Sequence, residues 1–265
     1  MASLTVTTLQ VDLKWENKDA NMSLLEGLLC NSPKSDVFVL PEMFSTGFSM
    51  RPELFAEDMT GKAMTWLREQ SQSLDAVLTG SFIAQENGLY YNRLVWMKPD
   101  GTFSQYDKQH LFSYGGEDKH YTRGTARIVV EWRGWRICPL VCYDLRFPVW
   151  SRNDGREDGI YYDLLIYVAN WPVRRSHAWD ALLIARAIEN QSYVVGVNRV
   201  GKDGNGIYHS GGTAVIDYGG ETIYRKKRQK AVNTVILEKD ELEAFRKRFG
   251  FLADQDIFLV KTHTI

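Results

Sequence analysis

The sequence contains little cysteine. Its 265 residues include three, at Cys30, Cys138 and Cys142. A set that is both small and odd in number cannot form the disulfide framework of a secreted scaffold. Free thiols are typical of a reducing compartment, so we expect a cytoplasmic protein in which each cysteine needs its own explanation.

An excess of one charge sign is also missing. The chain has 32 basic and 33 acidic residues, which give a formal net charge of −1. A dedicated nucleic-acid binder carries a strongly basic balance. The one basic run, Arg225 to Arg228, is soon followed by the acidic pair Asp240 and Glu241. We interpret it as a solvated strand end and expect no nucleic-acid partner.

Long apolar runs are absent too. The longest candidate, Leu164 to Ala169, is far short of the roughly 20 residues that cross a bilayer. Residues 1–10 contain no basic side chain and no long apolar stretch, so we expect neither a targeting segment nor a membrane location. Because no Pro/Gly/Ser-rich linker or internal repeat is visible, we predict a single domain over residues 1–265.

Short apolar runs typical of strands are present, and helix-like segments lie between them. Predicted helices cover Asn21 to Leu29, Ala63 to Gln72, Ser176 to Gln191 and Asp240 to Arg248. In the third helix we expect Trp179, Leu182, Leu183 and Ile188 to be core residues. This alternation, with strands clustered later in the chain, favours a layered α/β fold with helices outside and sheets inside.

Three chemically interesting residues follow predicted strands directly. Glu42 comes after Asp36 to Leu40, and Lys108 follows a hairpin whose turn is Pro99-Asp100-Gly101. Cys142 ends the apolar run that begins at Trp135. Layered α/β folds commonly present their active sites where strands end.

Each of these residues also has an ordinary structural interpretation. Cys142 fits a buried thiol, Glu42 a surface or capping carboxylate, and Lys108 an exposed cation. Taken together, they match what a cysteine hydrolase needs: a nucleophile, a base and a positive group for the developing oxyanion.

Two rival sites use some of the same residues. A Cys-His pair would take its base from His110, His120, His177 or His209, but no local signature supports it. A zinc site is disfavoured because Cys138 and Cys142 lack the close two-residue spacing and no paired histidines accompany them. We expect neither a metal ion nor a cofactor.

Three segments, in order, resemble the nitrilase superfamily of carbon-nitrogen hydrolases. They are Leu-Pro-Glu-Met-Phe at 40–44, Tyr-Asp-Lys-Gln-His-Leu-Phe at 106–112 and Leu-Val-Cys-Tyr-Asp-Leu-Arg-Phe-Pro at 140–148. Residues 44–50, 115–117 and 186–191 are further similar to the bacterial omega-amidases of that superfamily.

The resemblance implies a four-layer αββα sandwich that acts on a small-molecule amide as a homodimer or higher homo-oligomer. It implies that Cys142 is the nucleophile, Glu42 the general base, and Lys108 with the Tyr143 backbone N–H the oxyanion site. A second glutamate, Glu117 by position, should orient the substrate and Lys108 and keep Lys108 protonated. The implied substrates are omega-amides of 2-oxo acids, such as 2-oxoglutaramate and 2-oxosuccinamate.

The substrate side of the site is left more open. Asn170 and Trp171 follow a predicted strand as Cys142 does, which makes them candidate substrate-binding residues with Tyr143. For the substrate carboxylate we expect a cation among Arg146, Arg174 and Arg175. Alternatives are another aliphatic amide, a carbamoyl amide or a nitrile as substrate, or a non-catalytic binding or scaffold protein of the same fold.

Overall fold

The computed structural model describes residues 3–153 and 162–256, which include two β-sheets. The first sheet has the order β13-β1-β2-β3-β4-β5. Its strands are β1 (Ser3–Gln10), β2 (Val37–Val39), β3 (Val77–Glu86), β4 (Leu89–Met97), β5 (Phe103–Asp107) and β13 (Ala231–Glu238). The β1-β2 and β2-β3 pairs are parallel and the other pairs are antiparallel.

The second sheet has the order β10-β11-β9-β8-β7-β6, and β12 pairs with β11. Its strands are β6 (Val130–Trp132), β7 (Trp135–Val141), β8 (Leu164–Ala169), β9 (Tyr193–Asn198), β10 (Val200–Lys202), β11 (Tyr208–Ile216) and β12 (Thr222–Lys227). The central β7-β8-β9 strands are parallel, as expected for strands that are buried on both faces.

Side-chain alternation along the strands makes the layers. On β2, Val37 and Val39 belong to the core shared by the two sheets, whereas Phe38 faces the helices outside the first sheet. Those helices are α1 (Lys18–Cys30) and α3 (Lys62–Leu74). Successive side chains of a strand point to opposite faces of the sheet, so one strand contributes to the core on both faces.

On the other side, α5 (Ser176–Asn190) packs on β9 and β11, and α6 (Lys239–Arg248) contributes Leu242 to the same core. Two short helices, α2 (Pro52–Phe55) and α4 (Pro148–Ser151), complete the set. The layer order is helix, sheet, sheet, helix, which confirms the predicted four-layer αββα fold.

One core prediction for α5 is wrong. Trp179 and Leu183 are buried and Leu182 is half-buried, but the Ile188 side chain is 53% exposed. Ile188 lies on the face of the helix that points away from the sheet, so its apolar side chain stays in contact with solvent. Within the part of the chain that the structure describes, no helix is long and apolar enough to cross a membrane.

Candidate active site

Cys142 lies where β7 ends and a 3₁₀ helix, Cys142–Arg146, begins. Its backbone is in the left-handed region, with φ of 43°, which is uncommon for a residue with a side chain. Met43, directly after Glu42, is left-handed as well, with φ of 45°. Strained backbone of this kind concentrates at functional sites, where the surrounding structure holds it in place.

The turn after Cys142 is held by the carboxylate of Asp144, which is fully buried. Asp144 accepts hydrogen bonds from the Val141 N–H (3.0 Å), the His110 N–H (3.1 Å) and the Tyr106 hydroxyl (2.8 Å). These donors come from the segment that carries Lys108 and from the strand that carries Cys142. Asp144 therefore ties the two segments together.

Lys108 and two glutamates form a fully buried cluster. The Lys108 Nζ lies 2.9 Å from Glu42 Oε1 and 2.8 Å from Glu117 Oε2. The Phe112 N–H donates to Glu117 at 2.6 Å, and the Asn170 N–H donates to Glu42 at 2.8 Å. All three predicted residues, Glu42, Lys108 and Glu117, thus meet in one place although they are distant in sequence.

Asn92, a residue that the sequence did not single out, completes this cluster. Its side-chain Nδ2 donates to Glu42 Oε1 at 2.9 Å and to Glu117 Oε1 at 3.1 Å. It is buried in β4 between Tyr91 and Arg93, and no local feature of the sequence marks it as part of the site. Because an amide carries no net charge, Asn92 orients the two carboxylates without neutralising them.

Burial and neighbouring charges set the protonation states of the cluster. Burial alone would lower the pKa of Lys108, but the carboxylates of Glu117 and Glu42 raise that pKa above its ordinary value. Burial, helped by the Glu42 charge, raises the pKa of Glu117 despite the Lys108 ammonium. The two carboxylates therefore favour the charged form of Lys108.

Cys142 is coupled to the same charges. Burial raises the pKa of its thiol well above the usual value, Glu42 adds to the rise, and Lys108 opposes it. Burial and the Glu42 charge thus favour the neutral form of this thiol over the thiolate. Such a thiol needs a base to take its proton before it can attack.

Of the four histidines of the rival Cys-His site, His209 lines the cleft that holds Cys142, and the other three do not. His110 Nδ1 lies 2.8 Å from Asp144, and its ring stacks on Phe147 with centroids 3.8 Å apart. His120 and His177 are exposed. His209 is buried, and burial with the Arg199 charge lowers its pKa to about 4. In residues 3–153 and 162–256, no three His, Cys, Asp or Glu side chains are arranged to hold a metal ion.

A cleft leads from solvent to Cys142 and Lys108. It is lined by aromatic and apolar side chains with a few polar and charged groups among them, which is typical of a site for a small organic molecule. All three predicted substrate-binding residues, Tyr143, Asn170 and Trp171, line it. Its other walls are formed by Phe48, Phe112, Arg146, Pro172, Arg175, Asp203, Ile207 and His209.

The structure distinguishes between the candidate arginines. Arg146 and Arg175 both line the cleft, whereas Arg174 is exposed and does not. Trp171 fixes this wall, because its indole N–H donates to the Arg175 carbonyl at 2.7 Å and its ring packs on Trp179 with centroids 5.5 Å apart. The cleft therefore combines a thiol and a buried ion cluster at one end with two guanidinium groups on its wall.

Comparison with known proteins connects this site to a family. A family model described as carbon-nitrogen hydrolase matches residues 5–247. The omega-amidase YafV of Yersinia enterocolitica is 46% identical over 98% of this chain and 100% of its own length. A 2-oxoglutaramate amidase of Bacillus subtilis is 29% identical over 94% of this chain and 96% of its own.

A solved structure gives the same result. A CN-hydrolase superfamily protein of Xanthomonas campestris, with an arsenic adduct in its active site, is 41% identical and superposes with a TM-score of 0.95. The match covers 98% of this chain and 100% of that one. Matches over nearly the full length in sequence and in backbone show that the chain belongs to the carbon-nitrogen hydrolase family, the nitrilase superfamily.

Proposed function

We propose that the protein is an omega-amidase that releases ammonia from omega-amides of 2-oxo acids, such as 2-oxoglutaramate and 2-oxosuccinamate, through a thioester on Cys142. The observation that carries the proposal is the buried Glu42–Lys108–Glu117 cluster, which acts electrostatically on the Cys142 thiol at the end of the cleft. The named activities of the relatives from Yersinia enterocolitica and Bacillus subtilis support the substrate class.

In the first half of the reaction, Glu42 takes the Cys142 proton as the sulfur attacks the amide carbonyl carbon. A carbon–sulfur bond forms and the carbonyl electron pair moves to oxygen. Glu42 then gives its proton to the amide nitrogen, the carbon–nitrogen bond breaks and ammonia leaves. Base and acid catalysis by one positioned carboxylate contributes on the order of 10²- to 10⁴-fold.

The oxyanion of the tetrahedral intermediate needs fixed donors. The Lys108 ammonium has three N–H donors and contacts Glu42 Oε1 and both carboxylate oxygens of Glu117. When the two Glu117 oxygens share one N–H, one donor is left for the substrate oxyanion. The Tyr143 N–H lies in the first turn of the 3₁₀ helix, where the helix itself offers no acceptor. Removing one oxyanion donor typically costs about 10²- to 10³-fold in kcat.

The second half regenerates the thiol. A water gives one proton to Glu42 and attacks the thioester carbonyl, and the resulting oxyanion is held by the same two donors. The carbon–sulfur bond breaks, Glu42 returns the proton to sulfur, and the carboxylic acid product leaves. Glu117 neither takes nor gives a proton in this scheme. Its contact with Lys108 positions the ammonium and favours its charged form.

Arg146 is our candidate partner for the carboxylate of the 2-oxo acid. It lines the cleft four residues after the nucleophile, on the same 3₁₀ helix, and its guanidinium lies over the Trp171 ring at 5.0 Å. Stacking on a tryptophan orients a guanidinium while leaving its N–H edge open to a carboxylate.

Three wider statements remain predictions. The single domain over residues 1–265 is supported by the family match over residues 5–247 and by the core that both sheets share. The cytoplasmic location and the homodimer or higher homo-oligomer rest on the sequence and on its resemblance to the superfamily.

The test measures ammonia release from 2-oxoglutaramate, 2-oxosuccinamate, glutamine, a carbamoyl amide, a simple aliphatic amide and a nitrile. We expect turnover of the two oxo-acid amides by the wild type and none by Cys142→Ala. Cys30→Ala is the matched control, because Cys30 is an exposed thiol that does not line the cleft. Turnover that survives Cys142→Ala would refute the mechanism, and turnover of only the other compounds would refute the substrate class.

A further inference from the structure

The wall of the cleft carries a second guanidinium that the reaction described above does not use. Arg175 ends the 3₁₀ helix Val173–Arg175, which follows β8 and precedes α5. Its guanidinium carbon lies 4.8 Å from the centre of the Phe112 ring, and its carbonyl is held by the Trp171 indole. Both its backbone and its charged group are therefore fixed at the cleft.

The Arg175 charge has no carboxylate partner within the part of the chain that the structure describes. Among residues 3–153 and 162–256, neither Arg146 nor Arg175 forms an ion pair with a carboxylate. Asp203 also lines the cleft, but its Oδ1 accepts the Asn205 and Ile207 backbone N–H groups, both at 2.9 Å. The buried Arg93 behaves differently, because it pairs with both Glu86 and Asp107.

The charge of Arg175 is affected by the groups around it. Burial lowers the pKa of Arg175, the positive charge of Arg146 lowers it further, and the Cys142 sulfur opposes the change. Two like charges that share a partly desolvated wall repel each other. An anion bound between them relieves that repulsion and makes charge-assisted hydrogen bonds with both.

We propose that Arg175 is a specificity-determining residue, which forms with Arg146 a two-cation subsite for the carboxylate end of the substrate and rejects amides that carry an ammonium group there. This inference rests on the proposed function for the identity of the substrate. A 2-oxo acid amide presents a carboxylate and a neutral carbonyl oxygen to the wall. Glutamine and asparagine present a carboxylate and an ammonium, and the ammonium is repelled.

The size of the effect follows from the charge-assisted hydrogen bonds that Arg175 would make with the substrate carboxylate. Such bonds are strong enough that removing one raises KM about 10- to 100-fold. The chemistry at the thiol is left in place, so kcat for a neutral amide should change little. Loss of the Arg175 charge should also reduce the repulsion of the ammonium group that glutamine and asparagine carry.

The experiment compares Arg175→Gln and Arg175→Lys with Arg174→Gln, the matched control from the neighbouring exposed position. Ammonia release gives kcat and KM for 2-oxoglutaramate, glutamine and butyramide. We expect Arg175→Gln to raise KM for 2-oxoglutaramate about 10- to 100-fold and to leave kcat/KM for butyramide within about 2-fold of the wild-type value. The ratio of kcat/KM for 2-oxoglutaramate to kcat/KM for glutamine should decrease. Arg175→Lys should recover part of the loss, and Arg174→Gln should match the wild type.

Equal losses on 2-oxoglutaramate and butyramide would mean that Arg175 only maintains the fold of the cleft, and would overturn the proposal. So would identical specificity ratios for Arg175→Gln and Arg174→Gln. A second measurement does not depend on turnover: calorimetric binding of glutarate to Cys142→Ala, with and without Arg175→Gln. If the wild type fails to hydrolyse oxo-acid amides, the proposed function fails, while weaker glutarate binding on loss of Arg175 still supports an anion subsite.

Discussion

Replacing Asn92 with leucine separates the orientation of the two glutamates from the stability of the fold. The substitution keeps a similar shape but removes the Nδ2 donor that bridges Glu42 at 2.9 Å and Glu117 at 3.1 Å. Hydrogen bonds to charged groups contribute about 1.5–3 kcal/mol each. Because the Lys108 ammonium still contacts both carboxylates, we expect a loss of about 2 kcal/mol in transition-state stabilisation, which is about 30-fold in kcat.

The expected stability change is smaller than the change in rate. The Asn92 Oδ1 is buried and has no hydrogen-bond partner within the described residues, so leucine also removes an unsatisfied acceptor. This gain offsets part of the loss. Asn92 does not line the cleft, so KM for 2-oxoglutaramate should stay within about 3-fold of wild type while kcat falls.

The assay combines steady-state ammonia release with urea unfolding. Asn190→Leu is the control, since Asn190 is equally buried but donates to the Arg186 carbonyl and accepts from the Asn153 N–H, both at 2.9 Å, away from the cleft. We expect the control to lose stability and keep kcat, and Asn92→Leu to lose kcat with a smaller loss of stability. Wild-type kcat in folded Asn92→Leu protein, or equal changes in kcat and KM, would refute the reasoning.

Three further predictions concern the surroundings of the site. Asp144→Asn should lower both the melting temperature and kcat, because the amide would place an NH₂ group against donors whose hydrogen bonds the carboxylate accepts. Calorimetry measures the melting temperature and ammonia release measures kcat. An unchanged kcat would contradict the role of Asp144 in holding the two segments together. His209 stays neutral down to about pH 4, whereas the unfolded chain takes up its proton near 6.5, so folding stability should fall as the pH drops through this window, by about 3 kcal/mol in all. Urea unfolding at several pH values should show a shallower fall in His209→Phe, and an identical slope would count against this assignment. Gly196→Ala should lower the free energy of unfolding by about 1–3 kcal/mol, since its added Cβ would lie 2.6 Å from Leu183 and 2.8 Å from Trp179. Gly27→Ala, with open space around it in α1, should be neutral or stabilising. Equal unfolding midpoints for the two variants would contradict this packing account.

Local pattern carried most of the fold prediction. The hairpin of β4 and β5 and the strand that ends at Cys142 were predicted within a few residues, because alternation and turn residues are encoded locally. The order of strands in each sheet was not predictable, since β13 pairs with β1 across almost the whole chain. Ile188 was misassigned to the core because an apolar residue on a helix does not reveal which layer covers it.

The site was predictable where its residues follow strands. Glu42, Lys108 and Cys142 could be selected because their order and local motifs resemble those of a known superfamily. Asn92 could not, because it lies inside a strand and acts only through side chains from distant segments. The choice among Arg146, Arg174 and Arg175 likewise required the structure, since the adjacent residues Arg174 and Arg175 differ in whether they line the cleft.

The candidate active site lies between the two sheets of the sandwich. Glu42 and Lys108 extend from strands of the first sheet, whereas Cys142 and Asn170 extend from the second, and the Asn170 N–H to Glu42 bond crosses between them at 2.8 Å. Neither sheet alone holds a base beside a thiol. Proton transfer from Cys142 to Glu42 should therefore require docked sheets, so during refolding ammonia-releasing activity should return no earlier than the contact between the two sheets.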